Sequence, residues 1–208
     1  MTNYPTANFI TQCTATFSNA INAMLSAGHC FRLGTVVQQG YLDGTTWRYT
    51  GTMGKVDWVQ WGNDRPDAEQ INPAPLGRPG VASPIYNALT GSVQVMGNAY
   101  RYSIGAPFCT DGSFTGENCK GVVDSANICA NVLDNGTTIR VCNLISGHST
   151  DGSRLVQHGD SGGPVYARVT GGVARSGIIS AGNVDTGQAG NQVLFTDLGV
   201  LCQAYTKC

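Results

Sequence analysis

Short β-branched runs separated by turn residues recur along this chain of 208 residues and limit what it can fold into. The runs lie at residues 34–38, 46–50, 92–96, 138–141 and 177–180, and Gly, Asn, Asp and Thr stand between them. Strands at such spacing are typical of an all-β barrel or sandwich. Glycine is abundant, with 28 residues, and supplies the backbone freedom that many tight turns require.

A proline-rich segment marks the boundary between two β units. Residues 72–84 hold four prolines and two glycines, a composition that favours a connection over a strand. We therefore expect one unit over residues 1–85 and a second over residues 86–208. The second is predicted to end in a short helix, because apolar residues recur at helical spacing after the candidate caps Thr196 and Asp197; they are Leu198, Leu201, Cys202 and Tyr205. Residues 19–27, mostly small, are interpreted as one or two further helical turns.

Eight cysteines indicate an oxidising compartment, because cytosolic thiols are kept reduced. No C-x-x-C or H-x-x-x-H pair occurs, so disulfides are favoured over a metal site. One disulfide follows from a hairpin, since Asn135 and Gly136 suit the positive-φ positions of a two-residue type I′ turn. With that turn, opposing residue numbers sum to 271, and Cys129 faces Cys142 on a non-hydrogen-bonded rung, within reach of a disulfide.

Charge and hydropathy exclude two classes of partner. Lys and Arg together number 12 against 13 Asp and Glu, so the basic excess typical of a nucleic-acid-binding protein is absent. No apolar run is long enough to cross a bilayer. We therefore expect no nucleic acid and no membrane among the partners, and the cysteines favour a secreted, extracellular protein.

Two motifs carry groups suited to nucleophilic chemistry. One surrounds a serine with glycines, which let backbone amides approach a reacting carbonyl; it reads Gly159-Asp160-Ser161-Gly162-Gly163-Pro164. The other sets a histidine beside a cysteine, in Ser26-Ala27-Gly28-His29-Cys30. A neutral imidazole is a natural base for a serine hydroxyl near neutral pH.

At these two motifs the chain resembles the chymotrypsin family of serine proteases, and within it the secreted bacterial streptogrisin and α-lytic type. The serine motif matches in full, and the histidine motif matches with Ser26 where Thr is usual. Two weaker similarities are the segment from Cys109 to Cys119, similar to a disulfide loop of the bacterial branch, and Ser180-Ala181-Gly182 after an apolar strand. Together the similarities extend from residue 13 to residue 182.

The resemblance implies a fold and a reaction. The fold would be all-β, with two antiparallel six-stranded β-barrels and a short C-terminal helix, the histidine in the first barrel and the serine in the second. The reaction would be peptide-bond hydrolysis through an acyl-enzyme. Ser161 would attack the scissile carbonyl, His29 would take and return the proton, and the amides of Gly159 and Ser161 would bind the oxyanion.

The resemblance also implies further disulfides. Cys13–Cys30 would tie the histidine loop to its neighbouring strand, and Cys109–Cys119 would close the second loop. Cys202 and Cys208 remain as a fourth pair, which requires the helix to end between them because a continuous helix would hold them too far apart.

The third member of a catalytic triad has two candidates. The family pattern is an Asp followed by a small residue and a strand, which Asp67 satisfies. Asp64 follows an Asn, also a family habit, but Arg65-Pro66 then interrupts the strand. We favour Asp67, whose role would be to orient His29 and to stabilise its imidazolium form.

The resemblance places the substrate pocket next to the serine. Its base falls near Leu155 and Val156, its rim near His158, and the segment that pairs with substrate backbone is Ser180, Ala181 and Gly182. No acidic residue lies at this base, and Gly182 would leave the entrance open. We therefore expect cleavage after uncharged apolar residues, with large or aromatic side chains favoured.

Asp160 raises a question that the resemblance does not answer. In the family its buried carboxylate takes a positive partner that holds the oxyanion loop. Here no Ile-Val-Gly-Gly amino terminus is present, and Thr110 stands where bacterial relatives usually carry Arg. The partner of Asp160 stays open, and we expect activation by removal of an N-terminal pro-segment.

Several alternatives remain beside this reading. We expect protein or peptide substrates and a monomer; the chemistry needs no metal or other cofactor, and a structural Ca²⁺ stays open. A narrow processing protease or an esterase could use the same residues, and a digest of unrelated unfolded proteins would separate them. A non-catalytic binding protein on the same scaffold is disfavoured because Ser161, His29 and an eligible Asp all persist. A disulfide-stapled adhesion module would make both motifs coincidental.

Overall fold

The computed structural model describes residues 2–3, 11–19, 21–43, 46–77, 84–87, 91–99, 102–134, 136–185 and 187–206. Within these ranges it contains fourteen strands and one α-helix. Their bounds are β1 Thr2–Asn3, β2 Thr11–Gln12, β3 Met24–Ser26, β4 Val36–Asp43, β5 Thr46–Gln60, β6 Ala68–Asn72, β7 Pro84–Asn87, β8 Gly91–Asn98, β9 Pro107–Gly112, β10 Gly116–Asp134, β11 Thr137–Ser149, β12 Pro164–Val169, β13 Gly172–Gly182, β14 Gln192–Asp197 and α1 Leu198–Tyr205.

Six strands of the second sheet close into a barrel. Their order is β12-β9-β10-β11-β14-β13, and β13 pairs back with β12, every pair being antiparallel. Closure satisfies the hydrogen-bonding edges that an open sheet would leave exposed. The β7–β8 hairpin attaches to the outside of this ring through β8, which runs parallel to β13.

The first sheet has six antiparallel strands in the order β2-β1-β4-β5-β6-β3. The predicted all-β class with a short C-terminal helix is confirmed, and a closed ring is present among the described strands of the second sheet. The first sheet ends at Asn72 and the second begins at Pro84. The division into units 1–85 and 86–208 stays a prediction.

Helix α1 lies where the two sheets meet. Asp197 caps it by accepting a hydrogen bond from Gly199 N at 2.7 Å, as its position before the apolar residues predicted. Leu198 and Leu201 are fully buried and pack with Leu25 of the first sheet and Ile178 of the second. Each such leucine contributes roughly 1.5–3 kcal/mol of burial free energy, which holds the sheets together.

The predicted helical turns over residues 19–27 are wrong. Residues 24–26 form β3, which pairs with β6 through Met24↔Ile71, Leu25↔Gln70 and Ser26↔Glu69. Leu25 and Ala27 are fully buried, so pairing with β6 and burial in the core outweigh the weak helical preference of small residues.

The β10–β11 hairpin has the predicted register next to its turn, as far as Ala130↔Val141, and the register shifts further out. Asp134 pairs with Thr137 across a two-residue loop, and Gly136 has φ of 80°. The disulfides Cys129–Cys142, Cys13–Cys30 and Cys109–Cys119 are all formed. The fourth predicted pair includes Cys208, which lies outside the described residues.

Candidate active site

The loop after β3 carries His29 and rests directly on the first sheet. A Cβ at Gly28 would lie 2.0 Å from Gln60 O and 2.8 Å from Ala68 O, so only glycine lets the loop come this close. The Cys13–Cys30 disulfide fixes the position of Cys30, the residue after His29. The amide of His29 then donates to Asp67 Oδ1 at 3.0 Å, which fixes the backbone position from which the imidazole side chain extends.

Asp67 lies beside the His29 ring and is fully buried. Its Oδ2 is 2.8 Å from His29 Nδ1, and it also accepts a hydrogen bond from Ser180 Oγ at 2.5 Å. Because a carboxylate only accepts hydrogen bonds, Nδ1 carries the ring proton and Nε2 is left as the basic nitrogen of the neutral ring. The His29 side chain is 20% exposed, so the ring is accessible from solvent.

The other candidate, Asp64, lies elsewhere. Its carboxylate is largely exposed and forms an ion pair with Arg140 Nε at 3.3 Å. The structure thus brings Asp67, and not Asp64, to His29.

The second sheet also holds Asp67 in place. Thr196 on β14 is fully buried, and its hydroxyl donates to Asp67 O at 2.8 Å and accepts from Asp67 N at 3.2 Å. Thr196 thus holds the backbone of Asp67, and Ser180 on β13 holds its carboxylate. The relative placement of His29 and the second sheet therefore depends on these contacts.

The loop between β11 and β12 carries Ser161 and is pressed against the first sheet. Gly162 has φ of 85°, and a Cβ there would lie 2.1 Å from Ser26 Oγ. Thr14 N donates to Ser161 O at 2.8 Å. The glycine of the serine motif therefore allows the loop to lie against the histidine motif of the other sheet.

Two backbone amides of the serine loop, those of Gly159 and Ser161, are available to a ligand. The amides of Asp160, Gly162 and Gly163 each donate to a backbone carbonyl. In the described part of the chain, no intramolecular acceptor is found for the amides of Gly159 and Ser161. Paired unsatisfied amides beside a nucleophile are what an oxyanion hole requires.

These groups share one open cleft of about 1020 Å³. Its lining includes His29, Ser161, Gly159 and the predicted pocket residues His158, Ser180, Ala181 and Gly182. Trp61 also lines it, with its ring centroid 5.2 Å from that of His29. Nothing in the residues around Trp61 in the sequence indicates this contact with the histidine.

Leu155 does not line this cleft, and Val156 lines a smaller pocket of about 270 Å³ that shares His158 and Val184 with it. Leu155 is fully buried in the core of the second barrel, with Ile145 and Phe195. A Cβ at Gly182 would lie 2.3 Å from Val156 Cγ2, so the valine fills the space beside that glycine. Val156 therefore narrows the entrance that the sequence predicts to be open at Gly182.

A second carboxyl lies near the His29–Asp67 pair. Glu69 is fully buried and accepts a hydrogen bond from Phe31 N at 3.1 Å. Burial raises the pKa of Glu69 well above its usual range, and the negative charge of Asp67 raises it further. Burial therefore disfavours the charged form of Glu69 beside Asp67.

Potential metal ligands cluster only weakly within the described ranges. Each group of neighbouring candidate ligands there includes two cysteines of one disulfide, whose sulfurs are already bonded to each other. No helix among the described residues is long and apolar enough to cross a membrane.

Comparison with known proteins gives structural relatives only. No protein-family model matches the chain, and no curated protein matches it significantly. A chymotrypsin from Cellulomonas bogoriensis is 22% identical with a TM-score of 0.68, over 94% of this chain and 88% of that one. Protease A from Thermobifida fusca is 22% identical with a TM-score of 0.69, over 99% and 93%.

A third solved structure is a serine protease described as specific for glutamic acid and as using a histidine triad in substrate binding. It is 18% identical with a TM-score of 0.68, over 93% of this chain and 91% of that one. At these identities the likeness establishes the fold, which is chymotrypsin-like.

Proposed function

We propose that this protein is a secreted serine endopeptidase with Ser161 as nucleophile, His29 as general base and Asp67 as the orienting carboxylate. One observation carries the proposal. The His29–Asp67 pair on the first sheet, with 2.8 Å between Nδ1 and Oδ2, faces the same cleft as Ser161 and the two unpaired amides on the second. A base, a nucleophile and oxyanion donors in one cleft are the requirements of acyl transfer.

Acylation begins when Ser161 Oγ attacks the carbonyl carbon of the scissile peptide. Its proton passes to His29 Nε2, and the resulting imidazolium is stabilised by the Asp67 carboxylate. The negative charge that develops on the carbonyl oxygen is bound by the amides of Gly159 and Ser161. One such donor contributes on the order of 2.7–4 kcal/mol to transition-state stabilisation.

Collapse of the tetrahedral intermediate breaks the C–N bond. The leaving amine takes the proton from His29 Nε2, and the acyl group remains as an ester on Ser161. Water then attacks the ester, with His29 again removing a proton, and the carboxylic acid product leaves as the serine hydroxyl is restored.

The substrate backbone has a strand edge to pair with. Ala181 and Gly182 pair with β14 on one side, whereas the β12–β13 ladder stops at Pro164↔Ile178. Within the described residues, no strand covers the other side of Ser180–Gly182. An extended peptide could add there as a further strand, with its scissile bond held at Ser161.

The pocket favours uncharged residues of small size before the scissile bond. Val156 fills the space beside Gly182, and we infer that it leaves room there for a small side chain but not for a large or aromatic one. Neither Leu155 nor Val156 can form an ion pair with a charged substrate. We therefore propose cleavage after small apolar residues such as alanine.

Secretion is supported by the three disulfides, which persist in oxidising compartments. A removable N-terminal pro-segment and a monomeric state are further parts of the proposal. The pro-segment would be detected as an N-terminal fragment released when the full precursor is expressed, and the monomer by light scattering.

Cleavage of a mixed peptide library at pH 8, read by mass spectrometry, tests the activity. We expect cuts at many sites with the wild-type protein and a fall of about 10⁶-fold in kcat with Ser161→Ala. Cutting of a single sequence would favour a narrow processing protease, and cutting of esters alone would favour an esterase. Equal cutting by the Ser161→Ala protein would refute Ser161 as the nucleophile.

Paired substrates that differ only in alanine or phenylalanine before the scissile bond test the pocket. We expect the wild-type protein to prefer alanine and Val156→Ala to raise the phenylalanine-to-alanine ratio of kcat/KM by roughly 10-fold or more. Val173→Ala removes the same atoms from a buried site in another core cluster and should leave the ratio unchanged. A ratio unaffected by Val156→Ala would contradict the assignment.

A further inference from the structure

The carboxylate of Asp160 is fully buried next to the nucleophile and is held by four donors. Phe114 N at 2.8 Å and Thr115 N at 3.2 Å donate to Oδ1. Gln157 N at 2.9 Å and the hydroxyl of Thr115 donate to Oδ2. A carboxylate that accepts several hydrogen bonds can remain ionised without a neighbouring cation.

All four donors are uncharged. In the described part of the chain, no Lys, Arg or His forms an ion pair with Asp160. The nearby ionisable group on β9 is another carboxyl, Asp111, and the Arg168 side chain on β12 pairs with Glu117. Among the described residues, the charge of Asp160 is therefore balanced by dipoles and not by a positive side chain.

Three of the four donors belong to the tip of the loop closed by Cys109–Cys119, and this tip also supports the oxyanion amides. Gly159 has φ of 92°, and a Cβ there would lie 2.4 Å from Phe114 Cε2. A Cβ at Gly112 would lie 2.1 Å from Asp160 Cγ. The loop thus packs against both Gly159 and Asp160 and leaves no space for either to shift towards it.

A hydroxyl of the first sheet joins the same arrangement. Thr14 Oγ1 accepts a hydrogen bond from Ser113 N at 3.0 Å and lies 3.0 Å from Gly159 O. This contact fixes the peptide that joins Gly159 to Asp160, which lies between the two amides of the proposed oxyanion hole.

We propose that Thr115 is a positioning residue that, with the amides of the 113–115 loop tip, holds Asp160 and thereby the Gly159 and Ser161 amides in the catalytic arrangement. This rests on the proposed function only in that those two amides form the oxyanion hole. The neutral donors of the loop tip stabilise the Asp160 carboxylate in place of a cation. Thr115 acts through Asp160 and touches neither substrate nor the reacting atoms.

The matched variants Thr115→Ala and Thr115→Ser test this role, because both lose the methyl group and only the first loses the hydroxyl. We expect Thr115→Ala to lower kcat by about 10- to 100-fold, the range that corresponds to one hydrogen bond to a charged group, with KM changed by less than about 3-fold. Thr115→Ser should retain kcat within about 3-fold of wild type, because the hydroxyl is kept. Equal kcat for the two variants, or a loss confined to KM, would overturn the proposal.

Hydrogen–deuterium exchange provides a readout that does not depend on activity. In a Ser161→Ala background, Thr115→Ala should speed exchange in the peptide covering residues 157–163, while Thr115→Ser should not. Exchange over β5 should stay close to wild type, and the melting temperature of Thr115→Ala should fall by roughly 3–12 °C, as the loss of one hydrogen bond to a charged group predicts. Unchanged exchange at 157–163, or global unfolding of the Ala variant alone, would refute a role confined to the oxyanion loop.

The two proposals fail in different ways. If the wild-type protein cleaves no peptide while the exchange difference persists, the endopeptidase proposal is wrong and the structural role of Thr115 stands. If the protein cleaves peptides and the two Thr115 variants behave alike, the role of Thr115 is wrong and the endopeptidase proposal stands.

Discussion

Replacing Thr196 by valine removes the contact through which the second sheet holds the backbone of Asp67. The Thr196 hydroxyl donates to Asp67 O at 2.8 Å and accepts from Asp67 N at 3.2 Å, and both residues are fully buried. Valine has nearly the same shape as threonine, so Thr196→Val keeps the packing and removes both hydrogen bonds.

The expected cost follows from what is left unpaired. A buried polar group without a partner costs about 1–3 kcal/mol, and the change leaves two such groups on Asp67. The added methyl group returns roughly 1 kcal/mol of burial free energy. We expect the free energy of unfolding to fall by about 3 kcal/mol, which lowers the melting temperature by roughly 6–12 °C in a domain of this size.

Urea denaturation at pH 7 with disulfides intact measures this loss, in a Ser161→Ala background that prevents self-digestion. Thr196→Ser is the matched control, because it keeps the hydroxyl and loses only the methyl group, at a cost of about 1 kcal/mol. If Thr196→Val destabilised the protein no more than Thr196→Ser, the two hydrogen bonds could not be an important link between the sheets. A changed m-value would indicate instead that the unfolded state had been altered.

Two further predictions concern buried or paired carboxyls. Asp67→Asn should lower kcat for peptide hydrolysis at pH 8 by about 10⁴-fold, because the amide would favour the wrong His29 tautomer. The control Asp64→Asn should leave that kcat within about 2-fold of wild type. Equal losses in the two variants would contradict the assignment of Asp67 to the triad. Burial, assisted by the charges of Glu117 and Asp160, raises the pKa of Asp111 from 3.8 to about 7. The folded state therefore binds that proton more tightly than the unfolded chain, and its contribution to stability is present below pH 4 and lost as the pH rises through 7. In urea titrations, Asp111→Asn should raise the free energy of unfolding by about 1–2 kcal/mol at pH 8 and by close to zero at pH 4. Screening by solvent keeps this gain below the free energy that corresponds to the full pKa shift of Asp111. The same gain at both pH values would contradict this origin.

The β10–β11 hairpin shows what could be predicted from sequence. Turn chemistry at Asn135 and Gly136 and the two-residue period of a strand together fix which residues face each other. The register holds from Asp134↔Thr137 to Ala130↔Val141, and Cys129 and Cys142 are bonded as that register requires. Such predictions succeed because every interaction they use lies within a few residues of the turn.

Contacts between distant segments could not be predicted in this way. Thr196 and Asp67 are 129 positions apart, and a threonine in a strand carries no signal that its hydroxyl binds one particular backbone. The contact of Val156 with Gly182 has the same character, since each residue alone is compatible with an open pocket. The motifs located the nucleophile and base, whereas the size of the pocket depends on how two remote segments pack.

Asp160 shows that a buried carboxylate can be held by hydrogen-bond donors without a cation. The resemblance suggested that its buried charge needs a cation, and none of the expected cations is present in the sequence. What a buried carboxylate needs physically is enough donors at short range, and three of the four here are backbone amides that any residue type would supply. The residue types in the sequence therefore do not reveal these backbone donors. Thr115 contributes the one donor that is encoded by a side chain, so it is the position at which the arrangement can be changed without altering the backbone.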